Sequence, residues 1–171
     1  MITIMILLVV FGLTLLLGKL LNRDFGSVTQ AGNIAMCAML LFTGISHFFF
    51  TKGMVLMMPD FLPAKAFLVY ATGILEILLG LGLCFPKTRK ISSKLLILFF
   101  ILIMPANITA AIKQVNMQAA DFTGPGLSYL WFRVPLQLFY MGWVYIFGLR
   151  QKKAAAVAPV LGTAPLLATE Y

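Results

Sequence analysis

Charged side chains are scarce in this chain. Aspartate, glutamate, lysine and arginine make up 11% of its 171 residues, and apolar residues make up 61%. A soluble domain has about 25% charged residues, so too few are present here to cover a water-facing surface. The length suits one domain. We therefore expect lipid to solvate most of the surface.

Histidine and cysteine are also rare. The chain has one histidine, His47, and two cysteines, Cys37 and Cys84, which do not form a C-x-x-C pair. This excludes the usual thiol–disulfide motif and a histidine-rich metal or haem site. We predict no metal site and no evident cofactor, and we expect both thiols to be buried as small apolar groups.

The formal net charge of +8 does not indicate a nucleic-acid partner. The lysines and arginines lie between apolar runs and do not form one continuous patch. That spacing is typical of a membrane protein whose basic ends contact anionic lipid. The predicted partner is therefore the lipid bilayer, and no nucleic acid is expected.

Five apolar segments are long enough to cross a bilayer, which takes about 20 residues. The first has Lys19 and Arg23 after it and no basic residue before it. This charge order favours a retained anchor over a cleaved signal peptide. The predicted spans are residues 2–21, 31–50, 66–85, 94–112 and 128–148.

Basic residues are concentrated at alternate ends of these spans. One set of ends has Lys19, Arg23, Lys87, Arg89, Lys90, Lys94, Arg150, Lys152 and Lys153, and the other has Lys52, Lys65 and Lys113. Because positive residues stay on the cytoplasmic side, we predict a multi-pass protein of the cell (inner) membrane. Its N-terminus would lie outside and its C-terminus in the cytoplasm.

The predicted fold is all-α. Residues 1–23 would form an N-terminal transmembrane helix, and residues 31–148 a four-helix transmembrane bundle. Residues 149–171 would form a cytoplasmic or membrane-surface tail, because Pro159, Gly162 and Pro165 disfavour a sixth span.

Glu76 lies near the middle of the third span. Gly73 and Gly80 share its helical face, and small residues there would let another helix approach closely. Two readings stay open for this acid. It binds a ligand or carries a proton, or it is neutralised by a permanent partner that fixes the packing.

A polar stripe follows the fifth span, where Arg133, Gln137 and Tyr140 are spaced at i, i+4 and i+7. Arginine keeps its proton and needs an anion or water. We predict that Arg133 pairs with Glu76, directly or through a bridging group. The alternative is that Arg133 extends to the outer headgroups.

Two further polar side chains lie at a similar predicted depth, His47 in the second span and Asn107 in the fourth. Pro105, just before Asn107, is expected to kink its helix. Polar residues from four helices would thus meet in the outer half of the membrane. Either a binding site or a hydrogen-bonded structural network would explain this. Met54, Met57 and Met58, beside Phe61 in the outer loop, could fold back as a short lid over this region or lie free in the membrane interface.

Several short stretches together are similar to the DoxX-like family of small bacterial membrane proteins. The resemblance covers residues 31–148 and implies a four-helix membrane bundle. It also implies that His47, Glu76, Asn107, Arg133 and Gln137 are the family's polar positions. The family takes its name from a subunit of a thiosulfate:quinone oxidoreductase, so the resemblance makes quinone a possible ligand. The stretches are Gly44–Phe48, Met58–Pro63, Tyr70–Glu76, Gly80–Leu83, Pro86–Arg89, Pro105–Ile108 and Arg133–Gln137.

Three functions fit these features. The first is an accessory membrane subunit that binds a lipid-like or quinone-like ligand, or a partner helix, through the polar residues. The second is the membrane subunit of a sulfur-compound:quinone oxidoreductase, working with a membrane or soluble redox protein. The third is a structural or assembly factor without a ligand. Whether the protein is an enzyme or a homo-oligomer stays open.

Overall fold

The computed structural model describes residues 2–21 and 27–150, and this part of the chain is helical without a named strand. The predicted all-α class is therefore confirmed. Arg23, Lys152, Lys153 and the predicted tail from residue 151 lie outside the described residues. The helices are α1 (Ile2–Leu20), α2 (Val28–Phe49), α3 (Thr51–Met57), α4 (Lys65–Cys84), α5 (Arg89–Leu102), α6 (Met104–Ile112) and α7 (Ser128–Val144).

Four helical segments are long and apolar enough to cross a membrane. They are α1, α2, α4 and the combined segment Arg89–Ile112 formed by α5 and α6. These helices indicate a membrane protein. The fifth predicted span begins as α7, a helix of 17 residues, and continues as a π-helical turn over Tyr145–Leu149. That α7 also crosses the bilayer stays a prediction.

The fourth span begins earlier than residue 94, where the sequence placed it. Arg89 starts α5 and is only 7% exposed. Its Nε donates a hydrogen bond to the carbonyl of Leu83 at 2.9 Å. The basic residues predict a gap between helices, but a long arginine can lie along apolar surface and bond to a helix end.

Helices α2 and α4 pack closely through glycines. A Cβ placed on Gly73 would lie 2.7 Å from Cβ of His47 and 3.0 Å from the carbonyl of Gly44. One at Gly80 would lie 3.1 Å from Cβ of Leu40. The predicted close approach at Gly73 and Gly80 is confirmed, and the approaching helix is α2. This contact fixes Glu76 of α4 opposite the polar face of α2.

The N-terminal helix α1 packs against the other helices through a narrow face. Leu7 is fully buried, and Phe11 meets Trp143 edge-on with ring centroids 5.1 Å apart. The hydroxyl of Tyr140 donates to Oγ1 of Thr3 at 2.8 Å. Most other α1 side chains are exposed, as expected for a helix that contacts lipid on its outer faces.

One end of the bundle, which we call the packed end, is closed around buried polar side chains. Nδ2 of Asn33 donates to the carbonyls of Thr29 and Phe147, each at 2.8 Å. Oγ of Ser93 donates to the carbonyl of Arg89 at 2.7 Å. Gly148 lies against Ser93 without room for a side chain. Asn33 therefore joins α2 to the π-helical turn, and Arg89 joins α5 to the end of α4.

A candidate ligand cavity

The opposite end of the bundle, the loop end, encloses a cavity of about 480 Å³. Helices α2, α4, α6 and α7 and the start of α1 form its walls, and α3 and the loop 113–127 cover it. We call it the polar cavity. Of the predicted site residues, it is lined by His47, Glu76, Arg133, Gln137 and Tyr140.

Glu76 has a buried oxygen without a hydrogen-bond partner. Glu76 is 6% exposed. Within the described residues, its Oε2 is the one buried side-chain nitrogen or oxygen that lacks a hydrogen-bond partner. Buried polar groups are almost always hydrogen-bonded. A carboxylate in this state needs either a proton or a partner that the described chain does not supply.

His47 stands next to this oxygen but does not satisfy it. Nδ1 of His47 lies 2.9 Å from the carbonyl of Thr43 and 4.0 Å from Oε2 of Glu76. A carbonyl can only accept, so the Nδ1 proton is directed to Thr43. In the neutral ring, Nε2 is then an acceptor.

Arg133 lines the same cavity from α7. The predicted direct Arg133–Glu76 pair is wrong, because no carboxylate lies within 4.0 Å of Arg133 in residues 2–21 and 27–150. Helix α4 is held against α2 by the glycine contact, so the acid and the guanidinium stay apart across the cavity.

Gln137 and Asn107 form a buried pair behind the wall. Nδ2 of Asn107 donates to Oε1 of Gln137 at 3.2 Å, and Nε2 of Gln137 donates to the carbonyl of Phe100. The helix is interrupted there at Ile103, two residues before Pro105, so a helix break is found where the sequence predicts a kink. Gln137 stabilises this break. Asn107 does not line the cavity, and its connection to the cavity is its hydrogen bond to Gln137.

Smaller polar residues complete the walls, and sequence reasoning largely missed them. Thr3, Ser46 and Tyr129 line the cavity together with Thr43. Thr43 lies one helical turn before His47 and Tyr129 one turn before Arg133, so their spacing puts each on the same face as its charged or polar neighbour. The available signal was weak, because a hydroxyl in a transmembrane helix usually bonds to its own backbone, as Ser46 does to Phe42 at 2.7 Å.

Of the three methionines in the predicted lid, Met58 does not line the cavity. Met54 and Met57 of α3 line the cavity, and Gly53 touches the backbone of Met117 so closely that no side chain would fit.

Asp60 ties this region to the end of α6 through Lys113, whose Nζ lies 2.7 Å from Oδ1. The ammonium groups of Lys113 and Lys65 lower the pKa of Asp60 below its ordinary value.

The mouth of the cavity is amphipathic. Ile2 and Phe42 line the cavity and are also exposed, at 58% and 42%. Gln118 and Thr123, in the covering loop, also line the cavity and are exposed. Side chains that both line a cavity and face outward mark its opening. The opening therefore has an apolar side on the transmembrane helices and a polar side on the loop.

The donor set does not suggest a metal. Within residues 2–21 and 27–150, no three His, Cys, Asp or Glu side chains come together. Cys37 and Cys84 are free thiols, one buried and one half-buried. The cavity instead offers a carboxylate, a guanidinium, an imidazole and hydroxyls beside apolar walls. This chemistry suits an organic ligand with a polar head.

The resemblance to the DoxX-like family is wrong. Residues 36–148 match a different family, DUF8561, described as a domain of unknown function, and no DoxX-like match is found. The shared stretches were only four to seven residues long, and fragments of that length can recur among unrelated membrane proteins. No curated protein matches the chain, and no solved structure does. Because the match covers more than half of the chain, the protein belongs to the DUF8561 family.

Proposed function

We propose that this protein is a multi-pass protein of the cell (inner) membrane that binds an amphipathic, lipid-like ligand in the polar cavity. The observation that carries the proposal is the partnerless Oε2 of Glu76. An isolated charge inside a membrane protein is expensive and normally faces a partner or a wet cavity. The ligand would provide that partner.

The position of the cavity in the membrane follows from the charge pattern. The loop end has Lys52, Lys65 and Lys113, whereas the opposite ends of the helices have Lys87, Arg89, Lys90 and Lys94. We place the more basic ends in the cytoplasm. The polar cavity then lies in the outer half of the bilayer, with α3 and the loop 113–127 at the outer surface.

The walls suit a ligand with an apolar part. Met39, Leu40, Phe100 and Leu136 are buried and line the cavity beside the polar groups. Its volume of about 480 Å³ falls within the ~300–1,000 Å³ of typical small-molecule pockets. Methionines of α3 add an adaptable cover, because their unbranched side chains adjust to irregular shapes.

A purely structural network is the competing explanation. In such a network every buried polar group should be satisfied, because a partly satisfied network is less favourable than an apolar core. At the packed end, every buried side-chain nitrogen and oxygen of the described residues has a hydrogen-bond partner. Oε2 of Glu76 has none, and this favours ligand binding. The quinone and redox expectations depended on the overturned resemblance, although a quinone would also count as an amphipathic ligand in the following test.

The test is native mass spectrometry of the full chain purified in mild detergent, followed by identification of whatever is retained. Wild type should retain an amphiphile in a defined ratio. Ala111→Phe should lose most of it, because the added ring fills the space beside a buried cavity-lining residue.

The matched control is Ala66→Phe, at an exposed position outside the cavity lining. It should retain the amphiphile as wild type does. A thermal melt of each variant reports folding. Equal retention in wild type and in folded Ala111→Phe protein would contradict the proposal.

A further inference from the structure

We infer that the head of the ligand carries both a primary ammonium group and an anionic group. The inference rests on the proposed function, since it names the chemistry of the ligand for the same cavity. It follows from the positions of Glu76 and Arg133 and from the groups around each of them.

The Glu76 side of the cavity is a set of acceptors. Oε2 of Glu76 has no donor in the described chain. His47 directs its Nδ1 proton to Thr43, which leaves Nε2 as an acceptor in the neutral ring. Thr43 also lines this side, and its hydroxyl donates to the carbonyls of Met39 and Leu40 in its own helix, so its oxygen can only accept from a ligand. A primary ammonium has three N–H donors and a positive charge, so it matches these acceptors.

The Arg133 side is a donor. A guanidinium presents five N–H groups in a planar fork that fits carboxylate or phosphate oxygens. The other acids of the described residues are engaged elsewhere, Asp60 with Lys113 and Lys65 and Asp121 with Thr123. An anion in the cavity would therefore meet Arg133 without a competing carboxylate from residues 2–21 and 27–150.

The separation of the two charges decides between ligand classes. Glu76 and Arg133 line one cavity but do not contact each other. A purely anionic ligand would leave Glu76 without a partner, and a purely cationic ligand would leave Arg133 without one. A head with both charges neutralises both residues at once. A quaternary ammonium lacks N–H donors and would leave Oε2 without a hydrogen bond.

Two sources have this chemistry, a phospholipid with a primary amine in its head and a free zwitterion such as an amino acid. The apolar side of the mouth favours the lipid. Ile2 and Phe42 line the opening and are exposed within transmembrane helices, so acyl chains could leave the cavity there. The polar side of the mouth at Gln118 suits entry of the free form, and the experiment separates the two sources.

The experiment measures binding to the delipidated full chain in detergent. The probes are phosphatidylethanolamine, phosphatidylcholine and phosphatidylglycerol with identical acyl chains, and glycerophosphoethanolamine without acyl chains. We expect phosphatidylethanolamine to bind about tenfold or more tightly than the other two lipids, as charge-assisted hydrogen bonds predict. Glu76→Gln should abolish its preference over phosphatidylglycerol, and Arg133→Gln should weaken the binding of both.

Two variants serve as controls. Glu76→Asp keeps the charge and should keep part of the preference. Arg150→Gln removes an exposed arginine outside the cavity and should change nothing. Thermal melting identifies any variant that fails to fold, and the three-lipid comparison on wild type tests the inference without any variant.

The outcomes are distinct. Equal binding of phosphatidylethanolamine and phosphatidylglycerol would overturn the inference and leave the proposed function standing. Binding of none of the lipids, with no retained amphiphile, would overturn both. Binding of glycerophosphoethanolamine as tightly as the lipid would support the zwitterionic head and assign it to a free molecule.

Discussion

The two ends of the bundle bury polar side chains in opposite ways. At the packed end, Asn33, Arg89 and Ser93 each donate to a backbone carbonyl. At the loop end, Glu76 keeps an oxygen without a partner beside a cavity. Both ends therefore contain buried polar residues, and only one leaves a buried oxygen unsatisfied among the described residues.

Burial of a polar residue therefore does not by itself locate a binding site. A satisfied group such as Asn33 links helices and is part of the structure. An unsatisfied carboxylate facing open volume is a reason to expect a ligand. The comparison predicts that substitutions at the packed end change stability alone, whereas substitutions around Glu76 change binding.

The largest stability effect is expected for Gln137→Leu. Gln137 lines the cavity as Glu76 does, but its side chain has hydrogen-bond partners as that of Asn33 does. The change removes the partners of both Asn107 and the Phe100 carbonyl. Each buried group left unpaired costs about 1–3 kcal/mol. Unfolding in a detergent titration measures this loss in the free energy of unfolding. The control is Gln30→Leu, at a half-buried glutamine at the start of α2, and it should lose less than about 0.5 kcal/mol. A loss no larger than the control would show that the break at Ile103 does not depend on Gln137.

Asn33→Leu should destabilise the packed end by about 1–3 kcal/mol, because the Phe147 carbonyl loses its side-chain donor. Ligand retention should stay at the wild-type level. Thr72→Val is the matched control, since its hydroxyl bonds only to carbonyls of its own helix. Loss of the ligand in folded Asn33→Leu protein would erase the distinction between the two ends.

Tyr140→Phe tests the link between α1 and the cavity wall. It removes the hydrogen bond to Thr3 and should lower the free energy of unfolding by about 0.5–1.5 kcal/mol. Tyr145→Phe, at a half-exposed site (53%), should have almost no effect. Identical melting curves for the two variants would indicate that α1 is held by its apolar contacts alone.

The smallest effect is expected at Asp60, because its carboxylate is exposed and surface ion pairs contribute little. Its pKa is lowered in the folded protein by Lys113 and Lys65. The pair therefore stabilises the fold above the unfolded pKa of about 3.9 and loses this effect as the pH falls through the folded pKa. Melting of wild type and Asp60→Asn should differ slightly at neutral pH and coincide in strong acid. A difference that grows on acidification would contradict the pairing.

Much of the helical plan was predictable from the sequence. Apolar runs of about 20 residues located α1, α2 and α4, and the glycine spacing around Glu76 predicted the close contact later found with α2. The start of α5 was missed because Arg89 was counted as a water-facing charge, whereas its side chain is buried against the end of α4.

The site was predictable in its residues but not in its pairings. The sequence placed His47, Glu76, Arg133 and Gln137 at one depth, and they do line one cavity. It could not show that Glu76 and Arg133 stay apart, because that depends on the rotation and spacing of α4 and α7. Asn33 was missed because one asparagine near a helix start carries no pattern.

The most direct test of the account is a paired measurement on Glu76→Gln. The purified full chain is melted without ligand, and its retained amphiphile is quantified in parallel. We predict that the variant retains much less amphiphile than wild type while its ligand-free melting temperature is unchanged or higher, because the amide removes a buried charge that lacks a partner. A lower melting temperature with full retention of the amphiphile would show that Glu76 is a structural residue and would contradict the account.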